Sequence, residues 1–161
     1  MSTQTISQAV PWVIRGSALL LWMIVIFSLS AMPGNGDSLQ PTLLFYMERK
    51  GAHVVEYALL TLFSIRFATL LFPREAFKKI LLLSAVFALA YGATDELHQL
   101  FVPFRGGKIS DVLVDSLGVL LTVSICYARY TGKKSLKYFI IGALVVLLAL
   151  ILANQVALLF G

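Results

Sequence analysis

Five long apolar runs, at about 11–30, 52–72, 78–97, 111–130 and 136–160, constrain this chain more than any other feature. Each is close to the roughly 20 residues that an α-helix needs to cross the hydrocarbon core of a bilayer. Strands of a membrane barrel would alternate apolar and polar residues over about ten positions, and the segment LLLSAVFALA does not. Only 13% of the 161 residues are charged and 59% are hydrophobic, whereas soluble domains carry about 25% charge. The expected fold is all-α: a single membrane domain over 1–161, built as an integral helical bundle of about five transmembrane helices. The first run has a second reading. Arg15, an apolar stretch and SLSAMPG follow the order of a cleaved signal peptide, although the apolar run from Pro11 to Leu29 is long for one. Under either reading the residues after it emerge on the outer side.

Basic residues orient such a bundle. One set of loops and flanks holds Arg15, Arg74, Lys78, Lys79, Arg129, Lys133, Lys134 and Lys137; the opposite set holds Arg49, Lys50, Arg105 and Lys108. Lysine and arginine accumulate in short cytoplasmic loops, so the richer side is expected to be cytoplasmic, with the N-terminus inside. The net charge of +5 then reflects anchoring to anionic lipid headgroups, not nucleic-acid binding. Seven acids, Asp37, Glu48, Glu56, Asp95, Glu96, Asp111 and Asp115, fall toward the outer side, and Glu75 alone falls inside.

Three polar stripes lie at the outer helix ends. In ERKGAHVVEY, Lys50, His53 and Glu56 recur every third residue and Tyr57 follows His53 by four, so they share one helical face. In TDELHQ, Asp95, His98 and Gln99 share a face, and in DVLVDS, Asp111 and Asp115 stand four apart. A charge at the centre of a bilayer costs about 2.5–3.5 kcal/mol even on lenient insertion scales, so these stripes are expected to face one another in one site. Glu48, Arg49 and Glu96 are instead expected to sit among headgroups and anchor helix ends.

The residue types permit two chemistries. His53 and Glu56 on one helix, with Asp95 and His98 on another, have the carboxylate–histidine character of metal sites in helical bundles. Such a set would suit a divalent transition metal such as zinc, manganese or iron, although His-x-x-Glu reverses the di-iron order. A metal-free site would use His53 as general base, oriented by Glu56, with Lys50 and Arg105 clamping a phosphate. Tyr57, Gln99, Asp111 and Asp115 complete the expected binding residues. The turn FVPFRGG contains two glycines able to take positive φ and would aim Arg105 over the cluster. Arg66 is expected to snorkel toward the cytoplasmic face, and the lone Cys126 excludes an intramolecular disulfide. There is no Walker motif and no Gly-x-Ser-x-Gly elbow.

KGAHVVEYALLTL, TDELHQLFVPFRGG and SDVLVDSLGVLL, in that order over about 47–121, resemble the signature of the VanZ-like family of small bacterial membrane proteins. The resemblance implies a multi-pass protein of the bacterial plasma membrane. It carries Lys50, His53, Glu56, Tyr57, Asp95, Glu96, His98, Gln99, Phe101, Pro103, Arg105, Asp111 and Gly118 into the family pattern. Asp115 stands where an asparagine is expected, and Phe104 where a glycine is common. The name-giving member is associated with low-level resistance to teicoplanin, a lipid-tailed glycopeptide that acts on lipid-linked peptidoglycan precursor at the outer leaflet. The implied partners are membrane lipids, that precursor or the lipoglycopeptide. The expected function is binding of an envelope lipid headgroup or lipid-linked precursor; the alternative is a membrane-embedded enzyme that modifies such a lipid.

Overall fold

The computed structural model describes residues 3–33, 43–107, 109–132 and 144. Four helices account for nearly all of them: α1 (Thr3–Ser30), α2 (Leu43–Leu71), α3 (Phe77–Gln99) and α4 (Ile109–Thr131). Each contains a stretch long and apolar enough to cross a membrane, and no strand occurs among the described residues. Apart from Leu144, which is helical, the expected fifth span at 136–160 lies outside the described residues.

All four helices begin earlier than their apolar runs, α3 by a single residue. α2 starts nine residues before position 52, and α4 starts before 111. Hydropathy marks only the stretch suited to lipid; the helix itself continues through the polar residues because its backbone hydrogen bonds are then satisfied internally. The polar stripes consequently lie within helices, where their side chains are held in register.

α2 and α4 form the most extensive contact; α3 packs on both, and α1 lies against α2 with a smaller contact to α3. Among the described residues no Cα of α1 comes within 8 Å of one in α4. α2 and α4 both start at the end of the bundle that holds the polar stripes, so they run parallel, with α3 as the return stroke. Their crossing is set by Gly118: a Cβ there would overlap the Val54 carbonyl oxygen and lie 2.9 Å from the Ala58 nitrogen. Small residues allow such close backbone approach in membranes, where packing and interhelical hydrogen bonds drive association. Further bonds tie the bundle together. Thr122 Oγ1 donates to the Ala58 carbonyl at 2.9 Å, Trp22 Nε1 to the Glu56 carbonyl at 2.9 Å, and the Tyr91 hydroxyl to the Met23 carbonyl at 2.8 Å. At the opposite end Arg15 Nη1 donates to the Arg66 carbonyl and to Thr69 Oγ1, both at 3.1 Å; the Arg66 side chain is exposed, as a snorkelling residue would be.

Gly118→Ala is therefore expected to lower the unfolding free energy by about 1–3 kcal/mol, the usual range for overpacking. Gly51→Ala, where an added Cβ meets nothing within 4 Å, is expected to be neutral or stabilising by up to about 1 kcal/mol. Denaturant unfolding of the two variants in one detergent distinguishes these outcomes.

Candidate functional site

The parallel contact of α2 and α4 continues upward from Gly118 as a ladder of polar pairs. His53 Nδ1 lies 3.0 Å from Asp115 Oδ1. One turn closer to the helix starts, the Lys50 ammonium pairs with Asp111, which also accepts a hydrogen bond from Ser110 Oγ at 3.1 Å. All four paired side chains are buried. The orienting carboxylate of His53 is thus Asp115 on a neighbouring helix, not Glu56 on its own. Lys50 likewise pairs with Asp111 across the same helix contact. Tyr57 stands one turn below His53, fully buried, and its hydroxyl has no hydrogen-bond partner.

α3 closes the cluster from the side. Gly92, Asp95, Glu96 and Gln99 are all buried and follow the i, i+3, i+4, i+7 spacing of a helix face packed against two neighbours. A Cβ at Gly92 would lie 3.1 Å from Tyr57 Cε1 and 3.2 Å from Asp115 Oδ2, so the absence of a side chain lets these groups approach α3. Gln99 Nε2 donates to Asp95 Oδ2 at 3.0 Å and contacts Glu96 Oε1 at 3.4 Å. Glu96, expected among the headgroups, instead faces inward with 5% exposure. The signal that locates it is the 92/95/96/99 spacing, which only Gln99 and Asp95 contributed to the sequence reading.

Other expected members lie at the edge. The His98 ring stacks on Phe27 of α1, with centroids 4.7 Å apart, and its Nε2 is buried without a hydrogen-bond partner. Glu56 is half-buried, and its carbonyl receives the Trp22 bond. Arg105 Nη2 donates at 3.1 Å to the Leu29 carbonyl in the last turn of α1, which also accepts from the Met32 nitrogen at 3.4 Å. Burial pulls the Arg105 guanidinium below its ordinary pKa and the nearby Arg49 charge acts in the same direction, while Asp95, Glu56 and Glu96 oppose them. Arg49 and Arg105 thus form a basic rim beside an acidic interior.

The turn departs from expectation in its backbone. Among the described residues, positive φ falls on Phe104, at +58°, and on Gly132, not on Gly106 or Gly107. Gly107 serves close approach instead, since a Cβ there would overlap the Glu96 carbonyl. Phe104 occupies the place where the family resemblance leads one to expect glycine, and a left-handed conformation gives glycine a physical reason to be there.

Among the described residues, the three potential ligands whose donor atoms all lie within 4.8 Å of one another are His53, Glu96 and Asp115. This differs from the set expected by spacing: Asp95 engages Gln99, His98 stacks on α1, and Glu56 is not in the group. An apolar crevice of about 220 Å³, lined by residues including Phe67, Phe72, Leu83 and Phe87, lies toward the other end of the bundle and has no charged lining. The polar cluster is the candidate site.

A multi-pass helical membrane protein with a buried, acid-rich site at one end of the bundle is the class that these features define. The chain matches the VanZ/LLP1 family model over residues 16–130, and it belongs to that family. Nothing matches among curated proteins or among solved structures.

Two substitutions test the site's construction. Lys50→Met leaves Asp111 buried without its counter-charge and is expected to cost about 3–5 kcal/mol, with much of the loss recovered in Lys50→Met/Asp111→Leu. Phe104→Gly is expected to stabilise by about 1 kcal/mol through relief of the left-handed conformation. Equilibrium unfolding in detergent reads both.

Proposed function

We propose that this protein binds the headgroup of an envelope lipid, or of a lipid-linked cell-wall precursor, at the polar end of its bundle. The observation that carries this reading is the pairing of a basic rim with an acid-rich interior. The Arg49 charge stands close enough to disfavour that of Arg105, a repulsion that a bound phosphate would relieve through charge-assisted hydrogen bonds. Behind them, Glu56, Asp95, Glu96, Asp111 and Asp115 outnumber Lys50 and His53, which favours the ammonium, hydroxyl or amide donors of a headgroup. The positive-inside distribution of lysine and arginine supports an extracytoplasmic position for this end, where such lipids are exposed. A link to teicoplanin susceptibility follows if the ligand is the lipid-linked precursor that the antibiotic engages.

An enzymatic reading has one observation in its favour. A histidine held through Nδ1 by a buried carboxylate, as His53 is by Asp115, is oriented for acid–base work at Nε2. It would make the protein a modifier of the same lipid.

Native mass spectrometry of protein extracted from its own membranes separates these outcomes. A phosphate-bearing lipid is expected to remain on the wild type and to be retained about tenfold less after Arg49→Ala or Arg105→Ala, the loss of one charged hydrogen bond. No retained lipid, or equal retention by both variants, overturns the binding proposal. A lipid species whose mass depends on His53 moves the function to the enzyme. Sidedness is tested in a Cys126→Ser background: an impermeant maleimide is expected to label Phe101→Cys in cells with an accessible plasma membrane, and Ala76→Cys only after permeabilisation.

A further inference from the structure

The interior of the polar site contains more buried hydrogen-bond acceptors than donors. Asp115 Oδ2 and Gln99 Oε1 have no hydrogen-bond partner, and both residues have 0% exposure. Gln99 has turned both contacts of its Nε2 toward Asp95 and Glu96, so its carbonyl oxygen is left over beside them. The Tyr57 hydroxyl is a third buried polar group without a partner, and the edge of its ring lies at the Gly92 gap occupied by Asp115 Oδ2. Unpartnered buried acceptors are expensive. A cation is the ligand that satisfies several of them together.

We propose that His53, Glu96 and Asp115 form a binding site for a divalent first-row transition metal. Their donor atoms lie within 4.8 Å of one another, and His53 Nδ1 and Asp115 Oδ1 are 3.0 Å apart. Two ligands on a tetrahedral ion with bonds of about 2.0–2.2 Å are roughly 3.3 Å apart, so small side-chain rotations complete the set. One imidazole nitrogen and two carboxylates suit zinc or manganese, whereas calcium and magnesium prefer oxygen alone. The three ligands come from three helices. Each is fixed by its own packing: His53 on the α2–α4 ladder, Asp115 opposite the glycine at 92, and Glu96 on the buried face of α3. Gln99 and the Tyr57 hydroxyl supply further oxygen atoms in the same interior. The metal would enter by displacing the proton that His53 and Asp115 share, which leaves Nδ1 free to bind the ion. Glu96 and Asp115 also belong to the interior of the headgroup reading, whereas the Arg49 and Arg105 rim belongs to that reading alone.

The test uses untagged, detergent-purified full-length protein, stripped with a chelator and then equilibrated separately with Zn²⁺, Mn²⁺, Ca²⁺ or Mg²⁺. The expected result is about one equivalent of Zn²⁺ or Mn²⁺ per chain by elemental analysis, with an upward shift in Tm on the order of 5 °C. Glu96→Gln and Asp115→Asn keep the shape of each side chain while weakening the ligand, and each is expected to lose the ion and the Tm shift. His98→Ala, whose ring lies on α1, is expected to keep both. No bound metal in the wild type, equal binding of Ca²⁺ or Mg²⁺, retention of the ion by Glu96→Gln and Asp115→Asn, or its loss from a folded His98→Ala each overturns the proposal. Lipid retention measured on the same samples separates failure here from failure of the headgroup reading.

Discussion

The parallel contact between α2 and α4 is the constraint on which the rest of the structure depends. Gly118 brings the α4 backbone against Val54 and Ala58. At that separation the residues above it meet as pairs, His53 with Asp115 and then Lys50 with Asp111, while Thr122 bonds to Ala58 below. A bulkier residue at 118 would spread the two helices and separate all of these partners at once. Parallel neighbours also need a return helix between them, and α3 supplies it. Its buried face then has to satisfy two helices, which explains why the four buried positions among its last eight, Gly92, Asp95, Glu96 and Gln99, are all small or polar.

Burying this much charge is tolerable only because most of it is paired. A buried ion pair is weak evidence for stability, since desolvation of both partners offsets their attraction. Removal of one partner is a different matter, because the remaining charge has nowhere to go. The Lys50–Asp111 pair therefore specifies register more than it contributes net stability. A one-turn slip of α4 along α2 would bring Asp115 to Lys50 or Asp111 to His53 and leave the other members of the ladder without partners, at several kcal/mol for an unpaired buried charge. Side-chain bonds to backbone carbonyls from Trp22 and Tyr91 fix α1 in the same manner. α1 is the least buried of the four helices, with 11% of its apolar window inside the bundle against 33% for α2 and α4.

Much of this was legible in the sequence because helices and membranes impose simple periods. Apolar run length gave the four described spans, and i, i+3, i+4 spacing gave the faces carrying Lys50, His53, Tyr57, Asp95, Gln99, Asp111 and Asp115. Spacing along one helix cannot say which residue on another helix it meets, so Glu56 was paired with His53 when Asp115 is its partner. Helix limits failed for a related reason: hydropathy ends where charge begins, whereas the α2 helix runs on to Leu43. Glu96 is not on the Asp95, His98 and Gln99 face as spacing defines it, and is expected among the headgroups. Neighbours on a helix are about 100° apart, and a helix packed against two others has a buried arc wide enough to include both. In the turn, the glycines are the residues that sequence marks for positive φ, but Phe104 carries it and Gly107 is needed for space.

The two departures from the family pattern have different consequences. Phe104 changes only a turn, at a modest conformational cost. Asp115 changes the chemistry of the interior. An asparagine there has both an acceptor and a donor, so it can take the His53 bond on its oxygen and offer its amide hydrogens to a neighbouring carboxylate. Aspartate can only accept when ionised, and its second oxygen is left buried without a partner. Beside Glu96 it adds a negative charge where the amide would have added hydrogen-bond donors. The interior can then be made whole by a proton on one carboxylate or by a cation shared between them. His53 Nδ1, 3.0 Å from Asp115 Oδ1, stands where a cation shared by Asp115 and Glu96, as proposed above, would also meet a ring nitrogen.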